Sequence, residues 1–184
     1  IIAGILAPIL GSRHSQIPHV SDLAYLAQSK DIDRTFPIHV EDVVAMGLWP
    51  KMGIFRGLAV TDRPLVNEAL AQVGLQGFNK RRLTELSGGQ LQRLFFARLI
   101  AQQAKVLLLD EPFTGVDAQT TKDLLQLIKV WHQQGKTIIV VLHDLDMIQK
   151  HFPECLLVAR RLIASGHSAQ VLQMENLAKA AFHV

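Results

Sequence analysis

The stretch that most limits how this chain can fold is Val106-Leu107-Leu108-Leu109-Asp110-Glu111-Pro112. Four branched apolar residues in a row show no alternation. They suit a strand covered on both faces, the usual environment of a parallel sheet. Pro112 has no amide hydrogen and stops the ladder just past two carboxylates. Asp110 and Glu111 therefore fall at the carboxyl end of a buried strand, where open α/β sheets gather their ligands. Upstream lies Leu86-Ser87-Gly88-Gly89-Gln90, and then Leu91, Leu94, Phe95, Ala97, Ile100 and Ala101 recur with helical spacing up to Ala104. A Ser-Gly-Gly turn at a helix start presents unpaired amides at the positive end of the helix dipole. The glycines let that backbone approach an anion, and the Ser87 hydroxyl can cap the helix or bond an anion's oxygen. The order is anion-binding turn, helix, buried strand, acidic strand end. It predicts an α/β fold with a mostly parallel sheet.

The acidic pair has a division of labour open to it. One carboxylate can hold magnesium, directly or through water, while the other orients and deprotonates an attacking water.

Composition narrows the alternatives. A chain of 184 residues with 49% apolar residues has enough material for one domain with a core and is not a disordered chain. A net charge of +3 without a long basic run does not point to nucleic acid. The single cysteine, Cys155, excludes an internal disulfide framework and fits a reducing compartment. No apolar run approaches the roughly 20 residues that span a bilayer, so any membrane role comes through a partner. Ile1 to Leu10 is apolar but lacks a basic leader and an initiator methionine, and it reads as a helix end entering a turn at Pro8 and Gly11.

In chain order, Leu23 to Gln28 reads as a short strand ending in Gln28, and residues 29–85 read as a helical insertion. Within it, Val40 to Leu48 is a candidate helix after Pro37, and Trp49 to Gly57 reads as a loop with Trp49 and Phe55 exposed. Thr61-Asp62-Arg63-Pro64 is a helix start. Leu65, Val66, Ala69, Leu70 and Val73 form the apolar face that follows, and Gly74 ends it. Arg93 and Arg98, on the helix after Gln90, read as solvated or salt-bridged. Asp117 is an N-cap for a helix from Ala118 to Gln134, with Leu124, Leu125, Leu127, Ile128 and Trp131 as its apolar side. Thr137 to Leu142 reads as a second buried strand ending in His143-Asp144. Leu156–Ala159 and Leu162–Ala164 form a hairpin around Arg160-Arg161, and a helix from Ala169 to Phe182 closes the chain. The phosphate-loop pattern G-x-x-x-x-G-K-[ST] is absent. Gly135-Lys136-Thr137 is a decoy: the earlier glycine would have to stand where Val130 does, and a strand rather than a helix follows.

Taken together, these segments resemble the ATP-binding subunits of ABC transporters from end to end. Leu86 to Gln90 is similar to the signature motif and Val106 to Pro112 to the Walker B motif. Gln28 resembles the Q-loop glutamine, with Ala27 where a proline is usual. Phe113-Thr114-Gly115-Val116-Asp117 resembles the D-loop, and His143 the switch histidine. The Phe36-Pro37-Ile38 stretch through Met46-Gly47, the Gln92-Arg93 and Ala97-Arg98 pairs, and the Thr-Gly-Val-Asp form of the D-loop look closest to the group importing zinc, manganese or iron.

The resemblance implies a P-loop NTPase-like ABC ATPase core with an inserted helical subdomain at 29–85, a single but N-terminally truncated ATP-binding domain over 1–184. Its substrate would be ATP with Mg2+. Asp110 and Gln28 would hold the metal, Glu111 would be the general base, and His143 and Gln28 would position the γ-phosphate and water. Ser87, Gly88, Gly89 and Gln90, with Asp117 at the interface, would cover the ATP of the other subunit in a head-to-tail homodimer. The partners implied are permease subunits, with an exposed face around Trp49 docking on them, and indirectly an extracytoplasmic metal-binding protein. No nucleic acid is implied. The location would be the cytoplasmic face of the membrane, and the cargo zinc first and manganese second. Without its phosphate loop the segment alone is expected to be inactive. Two other readings remain: a truncated docking subunit without hydrolysis, and a soluble ABC ATPase unconnected with transport.

Overall fold

A computed structural model describes residues 11, 12, 14, 17, 19–28, 33–52 and 58–181. The expectations for Ile1 to Leu10, Phe55 and Phe182 lie outside the described residues. The chain divides into two compact units, Ile1–Val141 and Leu142–Val184.

In the first unit β1 (Leu23–Leu26), β2 (Val106–Asp110) and β3 (Thr137–Val141) form a parallel sheet in the order β1-β2-β3. Leu26 pairs with Leu109, and Asp110 with Val141. The apolar run occupies the central strand, where Leu107 and Leu109 are essentially inaccessible. The expectation for β3 needs correction. The strand forms, but it is not buried: Ile139 is 38% and Val141 47% exposed. Like β3, β1 is an edge strand of the described sheet, yet it buries Ala24 and Leu26, so the difference lies in how fully each strand's faces are covered and not in edge position.

Between β1 and β2 the regular elements described are helical, apart from an isolated bridge joining His39 and Arg82. They are α1 (Val40–Ala45), α2 (Trp49–Met52), α3 (Arg63–Gln72) and α4 (Gly88–Gln102), with short 3-10 turns among them. Trp49 begins a helical turn rather than a loop, because the 3-10 turn Met46–Leu48 carries the chain on from α1 and Pro50 is tolerated in a first turn. In α3 the apolar face holds for Val66, Ala69 and Leu70, whereas Leu65 points outward and is 41% exposed.

The 15-residue α4 is the hub. Leu91, Leu94, Phe95, Phe96, Ala97, Leu99 and Ala101 are all buried, far more than one stripe, because α1, α3, α5 (Ala118–Gln133) and β1 pack around it. Phe96 stacks on Trp131 of α5, with ring centroids 5.7 Å apart. Gly47 permits the closest approach: a Cβ there would collide with the Arg98 carbonyl and press on Ala101. Gln103, at φ +55°, ends the helix in a left-handed cap.

Two arginines fix the neighbours of α4. Arg93 donates to Asp123 at 2.6 Å and to the Val73 carbonyl at 3.1 Å, tying α5 and the end of α3 to the helix. Arg98 departs from the expectation of a solvated or salt-bridged side chain: it is largely desolvated and bonds a backbone carbonyl. Its Nη2 donates to the Tyr25 carbonyl at 2.9 Å, and one turn later Gln102 donates to the Leu23 carbonyl at 2.9 Å. Burial holds the Arg98 pKa below the usual guanidinium value. Lys136 Nζ donates to the Ala104 carbonyl at 2.6 Å, and Gly135 turns at φ +83°, so the Gly-Lys-Thr triplet is a helix-to-strand turn.

The second unit contains α6 (Leu145–His151), an antiparallel hairpin of β4 (Glu154–Ala159) and β5 (Arg161–His167), then α7 (Ser168–Val171) and α8 (Met174–Ala181). Arg160 makes the hairpin turn at φ +54°. The single closing helix expected from Ala169 is in fact two, with Leu172 and Gln173 between them.

Two stability outcomes follow. Gly47→Ala should cost about 2 kcal/mol, the scale of overpacking against backbone, and lower the thermal midpoint; an unchanged midpoint would contradict the close approach. The Arg93 hydrogen bond holds the Asp123 carboxyl below its ordinary range, and the Thr120 amide does the same for Asp117. A depressed folded-state pKa gives stability that is present above the unfolded value, about pH 4, and lost as pH falls through the lower folded value. Thermal unfolding followed from about pH 5 to about pH 3 should therefore show a falling midpoint, with a shallower slope in Asp123→Asn.

Candidate functional site

The Ser-Gly-Gly turn is built as a capping box. Ser87 Oγ accepts from the Gln90 amide at 3.2 Å, and Gln90 Oε1 accepts from the Ser87 amide at 3.0 Å. Those bonds hold the first turn of α4 open at its positive end. Ser87 and Gly88 are exposed and Gln90 is half-buried.

The two glycines do different work. A Cβ on Gly89 would stand 2.8 Å from Asp117 Oδ2 and 3.1 Å from Thr120 Oγ1, so this glycine seats α4 against the start of α5. A Cβ on Gly88 would meet only the Gly115 carbonyl, at 3.4 Å. Two helix N-termini thus lie side by side. Asp117 caps the second, accepting from the Thr120 amide at 2.8 Å, and that bond is the main cause of its lowered pKa.

At the carboxyl end of β2, Asp110 is half-buried and its Oδ2 accepts from the Tyr25 hydroxyl at 3.2 Å. Glu111 has φ +46°, left-handed for a residue with a full side chain. Such a conformation costs on the order of 1–2 kcal/mol and concentrates at functional sites. It is held from both sides. Its amide donates to the Val141 carbonyl at 3.0 Å, extending the β2–β3 pairing, and its Oε2 accepts from Thr114 Oγ1 at 2.9 Å. Pro112 beside it is fully buried.

Gln28 lies two residues beyond β1 and is half-buried. The parallel register brings it out at the same sheet end as Asp110 and Glu111. His143 follows β3 by two residues, is exposed, and belongs to the second unit, where Asp144 caps α6 by accepting from the Met147 amide at 3.0 Å. Within the first unit the structure therefore gathers Asp110, Glu111 and Gln28 at one sheet end, and Ser87, Gly88, Gly89 and Gln90 beside Asp117. Sequence reasoning missed Tyr25 and Thr114, the two hydroxyl groups that hold the carboxylates. The only available signal was their spacing from Gln28 and Glu111, which has no meaning until the strand register and the turn are known.

The donor set fits a hard divalent cation delivered with a phosphate substrate. Asp110 and Glu111 offer acceptor-only oxygens, half-buried at a strand end. Among the described residues no group of three or more His, Cys, Asp or Glu could hold a metal by itself. One or two carboxylates completed by substrate phosphates is the arrangement Mg2+ favours.

Comparison with known proteins agrees. The family described as ABC transporter matches residues 9–114. The manganese transport system ATP-binding protein MntB of Halalkalibacterium halodurans is 42% identical over 164 residues, which is 89% of this chain and 66% of that protein. MntB of Listeria monocytogenes, with the same description, is 40% identical over 84% of this chain and 65% of its own length. The zinc transport system ATP-binding protein TroB of Treponema pallidum is 38% identical over 86% of this chain and 59% of that protein. The chain thus spans less than two thirds of each of these relatives. Among solved structures, an inward-facing conformation of an ABC transporter superposes on all of this chain and 70% of its own, at a TM-score of 0.83 and 28% identity. The parallel sheet, the capped glycine turn and the acidic strand end agree with these matches: the chain belongs to the ABC transporter family and carries part of its ATPase domain.

Proposed function

We propose that this chain is part of the ATP-hydrolysing subunit that energises an ABC importer for a divalent metal ion, with residues 1–184 forming a single, partial ATP-binding domain and 29–85 its helical insertion. The observation that carries the reading is Glu111, held left-handed between the Val141 carbonyl and the Thr114 hydroxyl, next to Asp110. The relatives' names include manganese and zinc, with manganese in both MntB proteins. They favour manganese over the zinc-first expectation, within a group whose named cargoes also include chelated iron.

The roles follow from position and chemistry. Asp110 holds the cation that accompanies ATP, with Gln28 contributing from the end of β1. That cation, Mg2+, neutralises charge on the phosphates when bound. Glu111 accepts the proton of the attacking water, a task for a fixed carboxylate close to the reacting oxygen. His143 donates a hydrogen bond toward the transferred phosphoryl oxygens and, with Gln28, orients the water. Ser87, Gly88 and Gly89 offer the open N-terminus of α4 to the ATP held by a second copy, with Gln90 and Asp117 alongside. Closure of the two copies on ATP, and opening after hydrolysis, would move permease subunits at the cytoplasmic face of the membrane. An extracytoplasmic metal-binding protein would deliver the cargo. Among the described residues no helix is long and apolar enough to cross a membrane. The phosphate-loop motif is absent from this sequence, so tests of hydrolysis require a form carrying one upstream.

In that form Glu111→Gln should retain ATP binding and lose turnover by roughly 100-fold or more, the scale of a missing general base; a near-wild-type rate in a phosphate-release assay would sink the assignment. Gly88→Asp should fold normally, since only the Gly115 carbonyl lies near its added carbon, yet fail to dimerise on ATP because its carboxylate faces phosphate. Unimpaired hydrolysis in Gly88→Asp would exclude the proposed covering role.

A further inference from the structure

We infer that Tyr25 is a positioning residue for the cation site: its hydroxyl sets the orientation of Asp110. The inference rests on the proposed role of Asp110 as a holder of the nucleotide's divalent cation.

The geometry is specific. Tyr25 pairs with Leu108 across the parallel β1–β2 ladder. Side chains alternate along a strand, so Tyr25, Leu108 and Asp110 share one face, and Asp110 lies one diagonal step from the tyrosine. That step is within the span of an aromatic side chain. The phenol crosses it and donates to Asp110 Oδ2 at 3.2 Å. This is longer than the usual hydroxyl–oxygen distance of about 2.7 Å, a slack that catalytic hydrogen bonds commonly take up when the site is loaded.

The tyrosine itself is fixed. Its carbonyl accepts from Arg98 Nη2 at 2.9 Å, and Gln102 holds the Leu23 carbonyl two residues earlier at 2.9 Å. A carboxylate with one oxygen bonded to an anchored phenol cannot rotate freely about its terminal torsion. The lone pairs offered to a cation are thereby aimed before the substrate arrives. Groups that orient a metal ligand in this way typically change metal affinity by about 10–100-fold when removed. Phenylalanine at position 25 keeps the ring and removes only the donor.

The test has two parts. Tyr25 is the only tyrosine in the chain, so uniform labelling with [13Cζ]tyrosine gives one resonance that reports its hydroxyl. Asp110→Asn should shift that resonance in the unliganded chain; an unmoved resonance would show that the bond is not made and overturn the inference. In the form carrying a phosphate loop, Tyr25→Phe should raise the half-saturating Mg2+ concentration for ATP hydrolysis about tenfold at saturating ATP. Half-saturating ATP at saturating Mg2+ should stay within about twofold, a split that general loosening of the fold would not produce. Unchanged Mg2+ dependence in Tyr25→Phe overturns the inference. Asp110→Asn measured alongside separates the two levels. If it abolishes or strongly weakens Mg2+ dependence while Tyr25→Phe does not, only the positioning role fails. If neither variant alters it, the reading of Asp110 as cation holder has failed with it.

Discussion

Arg98 and Gln102 reach from α4 to the carbonyls of Tyr25 and Leu23, and the rest of the first unit depends on that seam. The fit is metrical. Four residues of helix rise about 6 Å, and two residues of strand about 6.6 Å, so donors one turn apart match carbonyls two residues apart. The outward carbonyls of Leu23 and Tyr25 on β1 accept from helix side chains. The guanidinium is partly desolvated to achieve this, and its Nε is enclosed without a partner among the described residues. That cost is offset by the burial of α4 against α1, α3, α5 and β1 together.

The seam joins two segments to which the proposed function gives roles toward ATP. The N-terminus of α4 carries the capped glycine turn, and β1 leads into Gln28. A rigid 15-residue helix fastened to that strand makes the glycine turn and the glutamine parts of one body. The same body includes the start of α5 through Gly89 and Arg93.

Much of this was legible in the sequence for identifiable reasons. The unbroken Val106–Leu109 run reads as a doubly covered strand, and Leu107 and Leu109 are buried as central-strand residues. Ser87 and Asp117 are capping types at the right offset from apolar periodicity, and both caps form. What was not legible depends on neighbours far along the chain. Arg98 looks like any helix-surface arginine until β1 lies beneath it. Nothing in Asp-Glu-Pro announces that Glu111 adopts φ +46°, because the Val141 carbonyl and the Thr114 hydroxyl impose it. The exposure of β3 was missed because an apolar strand reads as buried whether or not a second layer covers it. Trp49 was read as loop, yet it opens a helical turn whose first positions accept Pro50.

The two sides of the three-stranded sheet differ in a way that bears on how the chain behaves in solution. On one side the backbone of β1 is occupied by Arg98 and Gln102. On the other, β3 carries Ile139 and Val141 well exposed, with no lysine or proline within Thr137–Val141 to discourage approach. An apolar, regular edge of this kind is a template for strand addition. Among the described residues, β3 rather than β1 is therefore the edge from which strand addition would begin. Charged substitutions on β3 would be the rational route to a monodisperse preparation.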